Sequence, residues 1–230
     1  YILFFIIFVA IETLTFLSGE RVAFFFVNAA TLMLILTMKD FKLFRLFSVI
    51  VSVSIIIMLA NAFPDSSKRI VDKTITQMGF SVEKTDTEEI IKIDKIKPKK
   101  YVFSVEHQNH YTSALRMFKD NIYTGIGPRM FRYVCGYDKY KIWEGCSTHP
   151  HNTYIQLLSE TGLFGFIFGI LIFLYVFLNV LKHWVLKIKN KKYIFNDFQL
   201  CLLSAILISI WPFVPTGGFF NNWLNIIYFF

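Results

Sequence analysis

The feature that most constrains this chain is a succession of apolar blocks near 1–17, 22–38, 43–62, 162–181 and 198–214, with a sixth starting near 219. A helix rises about 1.5 Å per residue and the hydrocarbon core of a bilayer is about 30 Å thick, so roughly 20 apolar residues are needed to cross it. The complete blocks have about that length, whereas a soluble domain would scatter its apolar residues at amphipathic spacing. Hydrophobic residues make up 55% of the chain, aromatics 18% and charged residues only 17%, and 27 residues are Phe. This balance excludes a disordered chain and points to an all-α, polytopic transmembrane protein. The first block lacks a basic leader and is followed by further spans, so it does not read as a signal peptide. Because the chain opens on Tyr1 and stops at Phe230 inside an apolar run, it reads as a piece of a longer multi-span protein.

Two basic segments set the orientation. Lys39, Lys42 and Arg45 lie between the second and third blocks, and Lys182, Lys187, Lys189, Lys191 and Lys192 between the fourth and fifth; both belong on the cytoplasmic side. Alternation then sends the 18–21 turn, the segment 63–161 and the 215–218 turn outward. The expected organisation is three spans over 1–62, an outward loop region over 63–161, and further spans over 162–230, the last cut short. The loop is charged from Asp65 to Lys100 and more aromatic from Tyr101 onward. Topology accounts for much of the net charge of +8, and with no recognised nucleic-acid motif present, no nucleic-acid partner is expected.

Cys201 lies inside a span and reads as a small buried hydrophobe. Cys135 and Cys146 share the outward loop, where an oxidising compartment would let them form a disulfide restraining the segment that enters His149 and His151. A zinc site from Cys135, Cys146, His149 and His151 is the alternative, but the spacing matches none of the usual paired ligands. His183, among lysines at a helix end, is expected to do nothing chemical, and His107 and His110 read as polar loop residues. Pro150 biases His149 away from helical geometry, and Asn152 is a candidate N-cap for a short helix running to a Thr161–Gly162 break. His151 would stand at the positive end of that helix, where the dipole disfavours imidazolium. A neutral imidazole can accept a proton from a hydroxyl nucleophile; the competing reading is that His151 merely pins the helix.

Arg21 follows Ser18-Gly19-Glu20 at the outer mouth of the second block. So close to hydrocarbon, it must snorkel, pair with Glu20 or Glu12, or meet an anion such as phosphate, which a guanidinium grips through two parallel hydrogen bonds. Arg116, Arg129 and Arg132 add charge near the Gly125-Ile126-Gly127-Pro128 turn, which reads as backbone geometry rather than a nucleotide loop. Glu144 and Glu160 are a further candidate pair for glycosidase-style chemistry.

Three stretches, SGERVAFF at 18–25, ALRMFKDNIYTGIGPRMF at 114–131 and HPHNTYIQLLSETGLFG at 149–165, make nearly the whole chain resemble the O-antigen ligase and polymerase superfamily of bacterial envelope proteins. The resemblance implies an all-helical enzyme of the bacterial inner membrane, set in membrane lipid, whose site faces the periplasm on a large loop. Such enzymes take a glycan from an undecaprenyl-diphosphate carrier. Ligases pass it to a lipid A–core acceptor and polymerases to a second carrier-linked glycan. On this resemblance His151 orients or deprotonates the acceptor hydroxyl and Arg21 stabilises the diphosphate, with Arg116 a candidate loop arginine. Glu20, Arg129, His149 and Asn152 join Arg116 as substrate contacts. No nucleotide, metal or other cofactor is implied. The chain departs from many relatives in having Tyr123-Thr124 before the glycine turn, where they have Pro, and Arg129 where they often have Gly. The preferred reading is a ligase-like glycosyltransferase. The alternatives are an O-antigen or exopolysaccharide polymerase, a protein O-oligosaccharyltransferase, a polysaccharide transporter fragment and a catalytically silent scaffold. Most ionisable residues fall in loops rather than at midspan, which favours an enzyme over a transporter.

Overall fold

The computed structural model describes residues 2–77, 101, 103–190 and 192–221; the expected sixth span, from 222 onward, and most of the charged stretch ending at Lys100 lie outside them. Among the described residues the fold is all-α: α1 (Ile2–Ser18), α2 (Arg21–Thr37), α3 (Lys42–Ala62), α4 (Pro64–Ile70), α5 (Asp72–Gln77), α6 (Val105–Asp120), α7 (Phe131–Val134), α8 (Thr153–Asn190) and α9 (Asp197–Ser209). The chain divides into two compact units, Tyr1–Ser67 with Phe164–Val214, and Lys68–Leu163 with Pro215–Phe230.

In the first unit Gly19 ends α1 with a left-handed φ of 66°, a conformation that costs an L-residue about 1–2 kcal/mol, and α2 starts at Arg21. α1 packs on α2 and α3, and α9 packs on α2. Phe5 stacks on Phe47 at 5.8 Å and Phe16 meets Phe24 edge-on at 6.1 Å. Glu12 is buried and accepts the Thr31 hydroxyl at 3.2 Å. Thr31 is about 15 Å along α2 from Arg21, so the contact Glu12 makes on α2 lies far from the arginine it was a candidate to pair with.

The carbonyls at the end of α2 would otherwise lack helical partners, and side chains from α8 take them. Lys187 Nζ donates to Leu36 O at 2.8 Å and Met38 O at 3.0 Å. His183 is fully buried; its Nδ1 accepts the Ile194 and Phe195 N–H groups, each at 3.2 Å, so Nε2 carries the hydrogen given to Thr37 O at 3.2 Å. This histidine is a fastener. Asp197 accepts Lys39 N and Asp40 N at 3.1 Å, so both basic segments sit at one end of the unit. α8 continues to Asn190 rather than stopping near 181, since its lysines are good helix formers placed at the favourable negative end. α9 ends at Ser209 rather than near 214, ahead of Pro212, which lacks the N–H a helix needs.

Among the described residues, Lys42–Ala62 and Thr153–Lys189 are long and apolar enough to cross a membrane, while α1, α2 and α9 are shorter apolar helices. Large apolar side chains on these elements face outward, Leu43 at 83%, Phe164 at 71% and Phe198 at 72% exposure. Exposed apolar surface of this extent is consistent with membrane association.

In the second unit, within the region read as lying between spans, residues 105–120 form α6. His110, Tyr111, Ala114 and Met117 are buried along one face of α6, at the i, i+1, i+4, i+7 spacing of a helix. Ala114 and Met117 pack with Phe131 and Cys135, joined by Ile126, Val134, Tyr140 and Ile155. Cys135 and Cys146 form a disulfide with Cα atoms 5.3 Å apart, which takes both sulfurs out of the zinc reading.

Gly162 interrupts α8 with φ 65° and ψ −157°. The break frees groups that a continuous helix would pair internally, and loop 122–127 takes them. Ile126 N donates to Ser159 O at 2.9 Å, Gly127 N to Glu160 O at 2.9 Å, and Leu163 N to Ile122 O at 2.8 Å. A Cβ on Gly125 would lie 2.4 Å from the Glu160 backbone carbon, and one on Gly162 2.4 Å from that of Tyr123. The two glycines are where the loop and the broken helix touch backbone to backbone.

Candidate active site

His151 immediately precedes Asn152, whose Oδ1 accepts Tyr154 N at 3.0 Å and Ile155 N at 3.1 Å. Asn152 is therefore the N-cap of α8, and His151 stands at the helix's positive end. Its φ is 56°, a left-handed conformation that a non-glycine residue holds only when its surroundings enforce it. The enforcing groups come from Thr216. Its N–H donates to His151 O at 2.9 Å, and its hydroxyl accepts Thr153 N at 2.8 Å. Thr216 O lies 3.3 Å from His149 Nε2; a carbonyl only accepts, so that nitrogen carries hydrogen. Thr148 Oγ1 is 2.9 Å from His149 Nδ1 and donates to it in the neutral ring. Both nitrogens of His149 therefore take part in holding the loop.

Four imidazoles gather here. The His151 ring lies 4.2 Å from His149, 5.1 Å from His110 and 5.6 Å from His107, centroid to centroid. Among the described residues no hydrogen-bond partner meets either ring nitrogen of His151, which leaves them open to a substrate. The expectation that His107 and His110 are ordinary loop polars is corrected: both project from α6 onto His151. Their spacing from Tyr111, Ala114 and Met117 was the available signal. No set of three or more His, Cys, Asp or Glu among the described residues is arranged to hold a metal ion.

Other sequence candidates are placed elsewhere. Arg116 is about 900° of helix rotation from His107, on the opposite face of α6, where Nη1 donates to Lys141 O at 3.1 Å. Arg129 is exposed with φ 63°, a left-handed position that ordinarily favours glycine. Glu160 is fully buried and accepts Arg129 N at 3.0 Å, Phe131 N at 2.9 Å and Gln156 Nε2 at 2.9 Å. A carboxylate so committed and shut from solvent cannot serve as half of a glycosidase pair with the exposed Glu144, so that alternative falls. Arg21 and Glu20 belong to the first unit, at the start of α2, where Glu20 is the N-cap residue but supplies no side-chain cap.

Burial, and then the fields of His149, His110 and His107, lower His151 from the ordinary 6.5 to about 4. His149 is lowered as well, by burial first, with the Thr216 carbonyl opposing. The neutrality expected from the helix dipole thus comes chiefly from desolvation and neighbouring imidazoles. Both rings bind protons more readily unfolded than folded, so stability is intact above pH 6.5 and falls as pH drops through the window from 6.5 to about 4. The midpoint of thermal unfolding should decline across that window, and His151→Gln, which does not titrate there, should flatten the decline. Parallel curves for the two proteins would refute this linkage.

The family model for O-antigen ligase matches residues 3–170. No curated protein and no solved structure matches the chain.

Proposed function

Because the chain belongs to the O-antigen ligase family, we propose that it transfers a glycan from an undecaprenyl-diphosphate carrier to a hydroxyl of a lipid A–core acceptor. The observation that carries this reading is His151: a neutral imidazole with open ring nitrogens, fixed in a left-handed backbone at the head of α8. In the proposed step the acceptor oxygen attacks the anomeric carbon, the bond from that carbon to the diphosphate oxygen breaks, and His151 takes the hydroxyl proton. Arg21 is assigned to the departing diphosphate, where a guanidinium and the N–H groups of a helix start both favour developing negative charge. The carrier supplies an already activated sugar, so the step needs no nucleotide.

We place the protein in the bacterial inner membrane as a multi-pass chain, with the histidine cluster in the periplasm. The basic segments that share one end of the first unit support a cytoplasmic assignment for that end. Residues 63–161 are correspondingly the periplasmic region, between the spans of 1–62 and 162–230.

The test is full-length protein in membranes, supplied with undecaprenyl-diphosphate glycan and either lipid A–core or a second carrier-linked glycan. Product on lipid A–core is expected. Arg21→Ala should lower the rate about 10²-fold or more, as loss of an oxyanion-stabilising donor does. Chain extension on the carrier alone would make the protein a polymerase, and no product with either acceptor would defeat the transfer reading.

A further inference from the structure

At the basic end of the first unit two cations crowd one carbonyl. Arg45 Nη2 donates to Met38 O at 3.1 Å, and Lys187 Nζ donates to the same oxygen at 3.0 Å. Arg45 Nη1 also donates to Asp40 O, and Lys187 to Leu36 O at 2.8 Å. Like charges that share one oxygen repel, and Lys42 adds a third positive charge acting on Lys187. Among the described residues no carboxylate lies within ion-pair distance of Arg45 or Lys187. Asp197 and Asp40 act on Arg45 only from farther off, and the two Asp197 oxygens accept the Lys39 and Asp40 N–H groups.

Arg45 also lines an apolar groove of about 360 Å³ between α1, α2 and α3, within the range of roughly 300–1,000 Å³ typical of small-molecule sites. Phe4 and Phe8 of α1, Val27 and Ile35 of α2, and Phe44 of α3 form its walls. The two hydroxyls that line it are used inside the protein. Thr31 donates to Glu12 at 3.2 Å and Ser48 to Phe44 O at 2.9 Å, so apart from Arg45 the groove presents hydrocarbon. Phe4 is 72% exposed, and the groove opens sideways there, toward surrounding lipid. From Ile35, beside the basic end, to Val27 is about 12 Å along α2, most of the roughly 15 Å depth of one bilayer leaflet.

We infer that the groove holds one acyl chain of an anionic phospholipid, whose phosphate lies against Arg45 and Lys187 and supplies the negative charge they lack. Basic pockets between membrane helices hold anionic headgroups in this way. A zwitterionic lipid would fill the groove equally well, but its headgroup brings a further cation beside the two already there. An ammonium has one more hydrogen than the two Lys187 gives to carbonyls, and a guanidinium has several more than Arg45 gives, so both can also meet a phosphate. The bound lipid would tie the α2–α3 turn to the end of α8. On the topology proposed above it belongs to the cytoplasmic leaflet. Only that placement rests on the topology, and the groove and its charge do not depend on the transfer reaction.

The experiment is native mass spectrometry of the full-length protein in detergent, offered equal amounts of phosphatidylglycerol and phosphatidylcholine with the same acyl chains. The wild type should retain phosphatidylglycerol about 10- to 30-fold better at its tightest site, since each nearby basic residue contributes about fivefold. Lys187→Gln should lower that preference about fivefold, Arg45→Gln likewise, and Arg45→Lys should keep most of it. Ala30→Leu adds bulk to the groove wall and leaves every charge in place, so it should weaken retention of both lipids about tenfold. Ala30→Leu and Arg45→Lys keep the test decisive where loss of a carbonyl clamp unfolds the protein. Equal retention of the two lipids by the wild type overturns the site, as does a preference unchanged in Lys187→Gln or a retention unchanged in Ala30→Leu. Displacement of phosphatidylglycerol by an equal amount of undecaprenyl phosphate would overturn it in favour of a polyprenyl chain. Because lipid is counted in detergent, failure here is separate from failure of the proposed topology or of transfer.

Discussion

Replacing His151 with alanine is expected to slow glycan transfer by about 10²- to 10⁴-fold, the range lost with a general base, while carrier binding is partly retained. The selectivity follows from how the site is divided. Asn152 caps α8 and His149 locks to Thr216, so those residues hold the loop, whereas the His151 ring has no hydrogen bond among the described residues to lose. Its backbone supplies the carbonyl that Thr216 grips, and alanine keeps that carbonyl. Alanine also remains in the left-handed region, so the fold should tolerate the change at modest cost. His149→Ala should behave differently, releasing the Thr216 latch and lowering thermal stability together with activity. The measurement is product formation on lipid A–core by membranes with matched amounts of folded protein. Wild-type rates in His151→Ala would remove His151 from the chemistry and leave it the role of a pin.

Gly162→Ala should produce the largest loss of stability. The added Cβ would sit 2.4 Å from both the carbon and the oxygen of the Tyr123 carbonyl and 2.6 Å from Thr124 N, all backbone atoms that have no rotamer to yield. The left-handed φ adds its own penalty, so overpacking and backbone strain together predict about 2–5 kcal/mol. Whole domains are stable by only about 5–15 kcal/mol. The loop at 122–127 should detach from Ser159, Glu160 and Leu163, exposing it to protease, and less folded protein should accumulate at a given temperature. If Gly162→Ala resists limited proteolysis as the wild type does, the loop is not held by this close approach.

Local chemistry made part of the site legible. Pro150, Asn152 and Gly162 announce a turn, a cap and a break within a dozen residues, and the structure has each of these there. The chain brings the disulfide cysteines together across a short loop that any reader of the sequence would consider. Long-range partnerships were less visible. Thr216 lies 63 residues beyond Thr153, and no periodicity connects them. His107 and His110 acquire meaning only once α6 is laid against the His149–His151 turn. Their apolar companions Tyr111, Ala114 and Met117 have helical spacing, but α6 is short and lies among charged and aromatic residues that obscure it. Glu160 presented the converse difficulty, since a carboxylate beside a histidine motif suggests chemistry, whereas three donors show it anchoring Arg129, Phe131 and Gln156.

The dependence of the histidine turn on Thr216 also orders events during biosynthesis. His149, His151 and the disulfide loop leave the ribosome long before Thr216, which follows the whole of α8 and α9. Until that threonine arrives, the His151 carbonyl, the Thr153 N–H and His149 Nε2 lack the partner that holds them. A nascent chain halted after α9 but before residue 215 would contain every proposed acid–base group and still lack a rigid histidine turn, so the turn would set only after Thr216 had been added.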